Sequence, residues 1–100
     1  MNQRRYDRVT GPFDARHADR PDTPLLIYDL NLGGCFVNSM HEQPDGSRFG
    51  LRIALPGSDW ITVTAEALYH LQYGFAARFI DIDADTAARI THTVNTLKRR

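Results

Sequence analysis

Arg4, Arg5 and Arg8 stand near the start of this 100-residue chain, and Asp29-Leu30-Asn31-Leu32-Gly33-Gly34 follows about one strand later. A guanidinium is a rigid, planar fork of donors that grips phosphate in a bidentate way and lays its flat face on a base. It pairs equally with O6 and N7 of guanine. Arg4 and Arg8 have the spacing Arg-x-x-x-Arg, and Arg5 adds a further phosphate contact. Asp29 is an acceptor, suited to the N–H groups on the Watson–Crick edge of guanine. Extended backbone would set Asp29 and Asn31 on one face, two residues apart. Gly33 and Gly34 read as a turn, and Gly34 permits a positive φ or a close approach of backbone to ligand. Together these residues offer what a guanine nucleotide needs: cations for phosphate, flat surfaces for stacking and acceptors for a base edge. Taken singly, the first cluster reads as a solvated arm and the second as a plain turn.

The remaining pattern must supply a frame for both clusters. Residues 1–11 are polar and charged and read as a flexible arm; residues 12–100 read as one domain. Phe13–His17 alternates as a first strand, and Asp19–Pro24 reads as a turn or loop punctuated by Pro21 and Pro24. Leu25–Leu30 is apolar enough for a strand, and Cys35-Phe36-Val37 resumes extended character after the glycines. Pro44-Asp45-Gly46-Ser47 is a turn. Phe49, Leu51, Ile53 and Leu55 then alternate with polar or small residues, as in a strand with one buried face. Ile61, Val63, Ala65, Ala67, Tyr69 and Leu71 alternate over a long stretch, with Thr62, Thr64 and Glu66 opposite. Gln72-Tyr73-Gly74 turns the chain, and Phe75, Ala77 and Phe79 alternate again. Short strands at this spacing predict a small antiparallel barrel or sandwich. The period changes at the end: Ala87, Ile90, Val94 and Leu97 recur as on a helix over about residues 84–98. Asp83 or Asp85 caps its start, and Lys98-Arg99-Arg100 suits its C-terminal dipole.

At this point the sequence resembles a known family. Arg-x-x-x-Arg followed by Asp/Asn-x-Ser-x-x-Gly is the signature of PilZ domains, bacterial receptors for the second messenger cyclic di-GMP. Arg48–Pro56, RFGLRIALP, is similar to the family's alternating strand ending in Leu-Pro. Ala67–Ile82, ALYHLQYGFAARFIDI, is similar to its hairpin ending in Gly-x-x-x-x-Phe. The resemblance implies a six-stranded antiparallel β-barrel with one C-terminal helix. It also implies cyclic di-GMP binding by Arg4, Arg5, Arg8, Asp29, Asn31, Gly33 and Gly34. The chain departs from the family at Asn31, which stands where the family has serine. An asparagine amide donates and accepts like a hydroxyl but is bulkier, so the contact is either weakened or remade.

Composition narrows the remaining classes. Basic and acidic residues number 12 each, so no overall attraction to nucleic acid or an acidic membrane is implied. Cys35 is the only cysteine, which rules out an internal disulfide and suits a reducing compartment. No apolar run reaches the length of a membrane span, and the expected location is the cytoplasm. Asp81-x-Asp83-x-Asp85 imitates the opening of a calcium loop, but Thr86 and His92 stand where glycine and glutamate are needed. The four histidines have no metal-ligand spacing, and Ser39, Ser47 and Ser58 lie in no nucleophile motif. A non-enzymatic receptor is therefore expected, with no cofactor beyond its ligand and with an unidentified downstream effector protein as partner. Two alternatives carry other predictions: a PilZ-like interaction module that has lost the nucleotide, and a barrel that binds RNA or DNA through the arginine arm and aromatic residues.

Overall fold

A computed structural model describes residues 7–98. Six strands come first: β1 (Phe13–His17), β2 (Arg20–Asn31), β3 (Gly34–Asn38), β4 (Arg48–Ala54), β5 (Trp60–Leu71) and β6 (Gly74–Ile80). One helix, α1 (Ala84–Lys98), follows. The strands close into an antiparallel barrel in the order β1-β2-β3-β6-β5-β4. This is the six-stranded barrel with a C-terminal helix that the family resemblance implies, and of the barrel or sandwich that the strand spacing allows it is the barrel.

Alternation does most of the building. In β4, Phe49, Leu51 and Ile53 face inward while Arg48 and Arg52 face solvent. They meet Ala65, Val63 and Ile61 of β5 across the ladder. Ile27, Leu30, Val37, Leu51 and Ile53 are wholly buried, as is Ile90 of the helix. Each such side chain contributes roughly 1.5–3 kcal/mol by leaving water. The helix starts where Asp83 Oδ1 accepts the Thr86 backbone N–H at 2.7 Å. It packs against β2 and adds Ile90 and Val94 to the barrel core.

His17, the last residue of β1, is buried and stacks on Phe49 with ring centroids 5.3 Å apart. Its Nδ1 accepts the Asp19 backbone N–H, so Nε2 carries the proton toward Gln43 Oε1.

Three local expectations need correction. The stretch Asp19–Pro24 is not a turn beyond Asp19, because β2 already begins at Arg20. Pro24 sits opposite Arg16, where the register shifts, and Pro21 lies on the exposed start of the strand; neither place needs a backbone N–H.

The alternation of β5 does not run to Leu71. Ala67 pairs with Ala77 but Tyr69 pairs with Ala76, so Leu68 is an extra residue, a β-bulge. Beyond it the strand's faces exchange, and Tyr69 and Leu71 are 53% and 59% exposed.

Asp29 is not extended. Its φ is +55°, and the β2–β3 register shifts between Tyr28 and Asn31. Asp29 and Asn31 therefore do not share a face by simple strand geometry.

Candidate functional site

Residues 8–10 lie alongside the end of β2. Val9 and Leu30 exchange backbone hydrogen bonds of 3.0 and 2.9 Å, and the Asp29 N–H reaches the Thr10 carbonyl at 3.2 Å. This pairing delivers Arg8 to Asp29, whose carboxylate lies 4.0 Å from the guanidinium. Both side chains are part-exposed, so the contact is a loose surface pair of small worth. One residue earlier, Asp7 accepts a 2.6 Å bond from Lys98 at the end of α1. Arg4 and Arg5 lie outside the described residues.

The β2–β3 turn is built by side-chain chemistry. Asn31 donates its amide N–H to the Asp29 carbonyl at 3.0 Å, and its Oδ1 accepts the Gly33 N–H at 2.8 Å. Asparagine and aspartate suit such turns because they close local rings and tolerate left-handed backbone. The positive φ considered for Gly34 falls on Asp29 instead. Gly34 meets the other condition, close approach: a Cβ there would sit 2.1 Å from the Ala77 carbonyl oxygen of β6. The Gly33 carbonyl accepts the Phe79 N–H at 2.9 Å, so both glycines are used to seat the turn on β6.

Arg8, Asp29, Asn31, Gly33 and Gly34 border one open groove of about 420 Å³. Volume does not single it out, because two other surface hollows measure about 490 and 610 Å³. What distinguishes it is the set of groups: a guanidinium, a carboxylate, a side-chain amide and a glycine turn. Among the described residues, no group of three His, Cys, Asp or Glu side chains could hold a metal ion.

The groove has a far side that sequence reasoning missed. Leu68, Tyr69 and Leu71 of β5 and Arg78 of β6 line it. Arg78 donates to Glu66 at 2.6 Å, and Glu66 also faces Arg48 at 4.0 Å. The signal for this wall was the adjacent pair Leu68-Tyr69, which no strict alternation can bury together. Cys35, buried, lies at the floor of the groove; burial pushes its thiol up to about 12. It stays protonated and unreactive near neutrality.

Comparison with known proteins agrees with the barrel. No curated protein matches the sequence. Among solved structures, YcgR from Escherichia coli in complex with c-di-GMP superposes with a TM-score of 0.80 at 20% identity. That match covers 99% of this chain and 47% of the YcgR chain, so this chain spans less than half of that protein's length. The PilZ domain of YcgR with c-di-GMP superposes with a TM-score of 0.73 at 18% identity, over 98% of this chain and 93% of that one. At such identities the likeness is one of fold. The family model of the PilZ domain matches residues 2–95, and the chain belongs to the PilZ domain family.

Proposed function

We propose that this domain is a receptor that binds cyclic di-GMP without altering it chemically. One observation carries the reading: Arg8 and Asp29, separated in sequence by the whole of β1, meet at 4.0 Å beside the Gly33–Gly34 turn. A guanidinium and a carboxylate in one groove match the two poles of a guanylate. Arg8 takes phosphate or the O6/N7 side of a base, while Asp29 accepts from N1–H and the exocyclic amine. Arg4 and Arg5 contribute further cations from the preceding segment. YcgR, whose solved structures carry c-di-GMP, has the same fold. The messenger is cytoplasmic in bacteria, and this reading puts the domain there.

The weak Arg8–Asp29 pair must open for both groups to turn to a ligand, which costs little for part-exposed partners. Closure of residues 1–11 over the ligand then presents or hides a surface for an effector protein, since a ligand shifts a conformational balance by its differential affinity. The Asp7–Lys98 contact makes the end of α1 the first element to feel that closure.

Calorimetric titration with cyclic di-GMP, with GTP as control, tests the reading. Saturable and selective heat is expected, with Arg8→Ala weakening binding at least about tenfold, as for loss of a charge-assisted hydrogen bond. Unchanged affinity in Arg8→Ala would sink the clamp.

Asn31 favours a second reading. Its amide is engaged within the turn on both sides and offers a ligand less than a free serine hydroxyl. A PilZ domain without nucleotide, acting through protein contacts, would show neither heat nor thermal stabilisation at high ligand concentration.

A further inference from the structure

Three rows of residues cross the outer face of the barrel at and beside the groove, each fixed by strand register. The first runs Asn31, Gly34, Arg78, Glu66. It is polar and carries charge. The second runs Tyr28, Phe36, Ala76, Tyr69. It is apolar and mostly aromatic. The third runs Leu26, Asn38, Gly74, Leu71. In the second row Ala76 separates Phe36 from Tyr69. The two aromatic residues therefore stand two strand spacings apart, about 10 Å, over a floor that a methyl group leaves shallow.

Tyr69 reaches this row only because of the bulge at Leu68. Continued alternation from Ile61, with Ala67 opposite Ala77, would point it into the barrel opposite the buried ring of Phe75. The extra residue turns it outward, where it is 53% exposed on the groove wall facing Arg8 and Asp29. Bulges re-aim side chains in this way and concentrate beside functional sites. An exposed aromatic ring lining a groove that already holds a guanidinium and a carboxylate adds an uncharged, apolar stacking face on the opposite wall. Every nucleobase has a matching face, and stacking on aromatic residues is a general mode of base capture.

We propose that Tyr69 is a base-stacking residue of this groove, aimed there by the bulge at Leu68, and that its ligand class is a purine nucleotide. The inference rests on the reading of the groove as a cyclic di-GMP site. Arg8 and Asp29 engage charge and base edge; Tyr69 covers a base face from the opposite wall. The second purine of a dinucleotide gives the ring a target beyond the reach of Asp29.

The test titrates the 100-residue chain and its Tyr69→Ala, Tyr69→Phe and Arg8→Ala variants with cyclic di-GMP. Tyr69→Ala is expected to bind roughly 5- to 150-fold more weakly, the span of base–aromatic stacking. Tyr69→Phe keeps the ring and should bind within about threefold of the parent, well inside that span. In the parent chain, the Tyr69 ring protons should move upfield on saturation, a readout that needs no variant to fold. Parent-like affinity in Tyr69→Ala, or ring protons that do not move, overturns the inference. If Arg8→Ala alone loses affinity, the receptor reading stands and only the stacking role falls. No binding by the parent chain overturns both.

Discussion

Asp29 holds a backbone conformation, φ +55°, that residues other than glycine, asparagine and aspartate rarely take. Its neighbour Asn31 compensates by tying its amide to the Asp29 carbonyl while accepting from Gly33. The strained residue and the residue that braces it thus both belong to the one turn between β2 and β3. Asn31→Ala removes two part-buried hydrogen bonds and is expected to cost about 1–3 kcal/mol, read as a lower urea midpoint. A midpoint equal to the parent's would show that the turn holds without the amide. The residue types of this turn were legible in the sequence; the left-handed Asp29 was not. Period-two reasoning assumes extended backbone, and only the shift in β2–β3 register shows where that assumption ends.

At the scale of elements, the sequence was most informative where a strand obeyed one rule throughout. Phe13–His17, the alternation of β4 and the helical spacing to Lys98 all read correctly, because one face of each element is buried. Failures came where a partner strand decides the outcome. Pro24 is acceptable in β2 because of the irregularity opposite it at Arg16 and His17, and Tyr69 leaves the core because β6 supplies one residue against two. Neither fact is local, and so the far wall of the groove left only one trace in the sequence, the adjacent pair Leu68-Tyr69. The helix start, by contrast, is set by a single cap. Hydrogen bonds from Thr86, backbone first, hold the Asp83 carboxyl below the usual aspartate range, with Arg89 adding to the same direction. A lowered native value means that the ionised cap stabilises the fold above the unfolded value, about 3.9. That contribution fades as pH falls through the native value. Thermal melts should therefore show Asp83→Ala less stable than the parent at pH 6, with the gap shrinking below about pH 4. A gap that is constant with pH would refute the ionic part of the cap.

Across the whole molecule, the thiol of Cys35 reports on the integrity of the closed core. Burial raises it from 9.0 to about 12. A raised native value leaves the native thiol protonated while the unfolded chain ionises, so stability is complete below about pH 9 and declines as pH rises toward 12. Relative to Cys35→Ala, the parent should lose about 1.4 kcal/mol per pH unit above that point, measured by urea unfolding at pH 8 and pH 10. An equal response in both chains would mean that the thiol is reached by water.

Closure of the barrel has one more consequence. Among the described residues, every strand from β1 to β6 has a hydrogen-bonded neighbour on both sides over part of its length, so no strand is a free edge along its whole length. Strand addition, which extends a sheet from a free edge, is therefore disfavoured relative to recognition by shape and side chains, on the helix, the loops or the outward rows. Specificity among relatives with the same barrel must therefore be written in exposed residues such as Trp60, Tyr69 and Tyr73, because the main chain presents them all with the same cylinder.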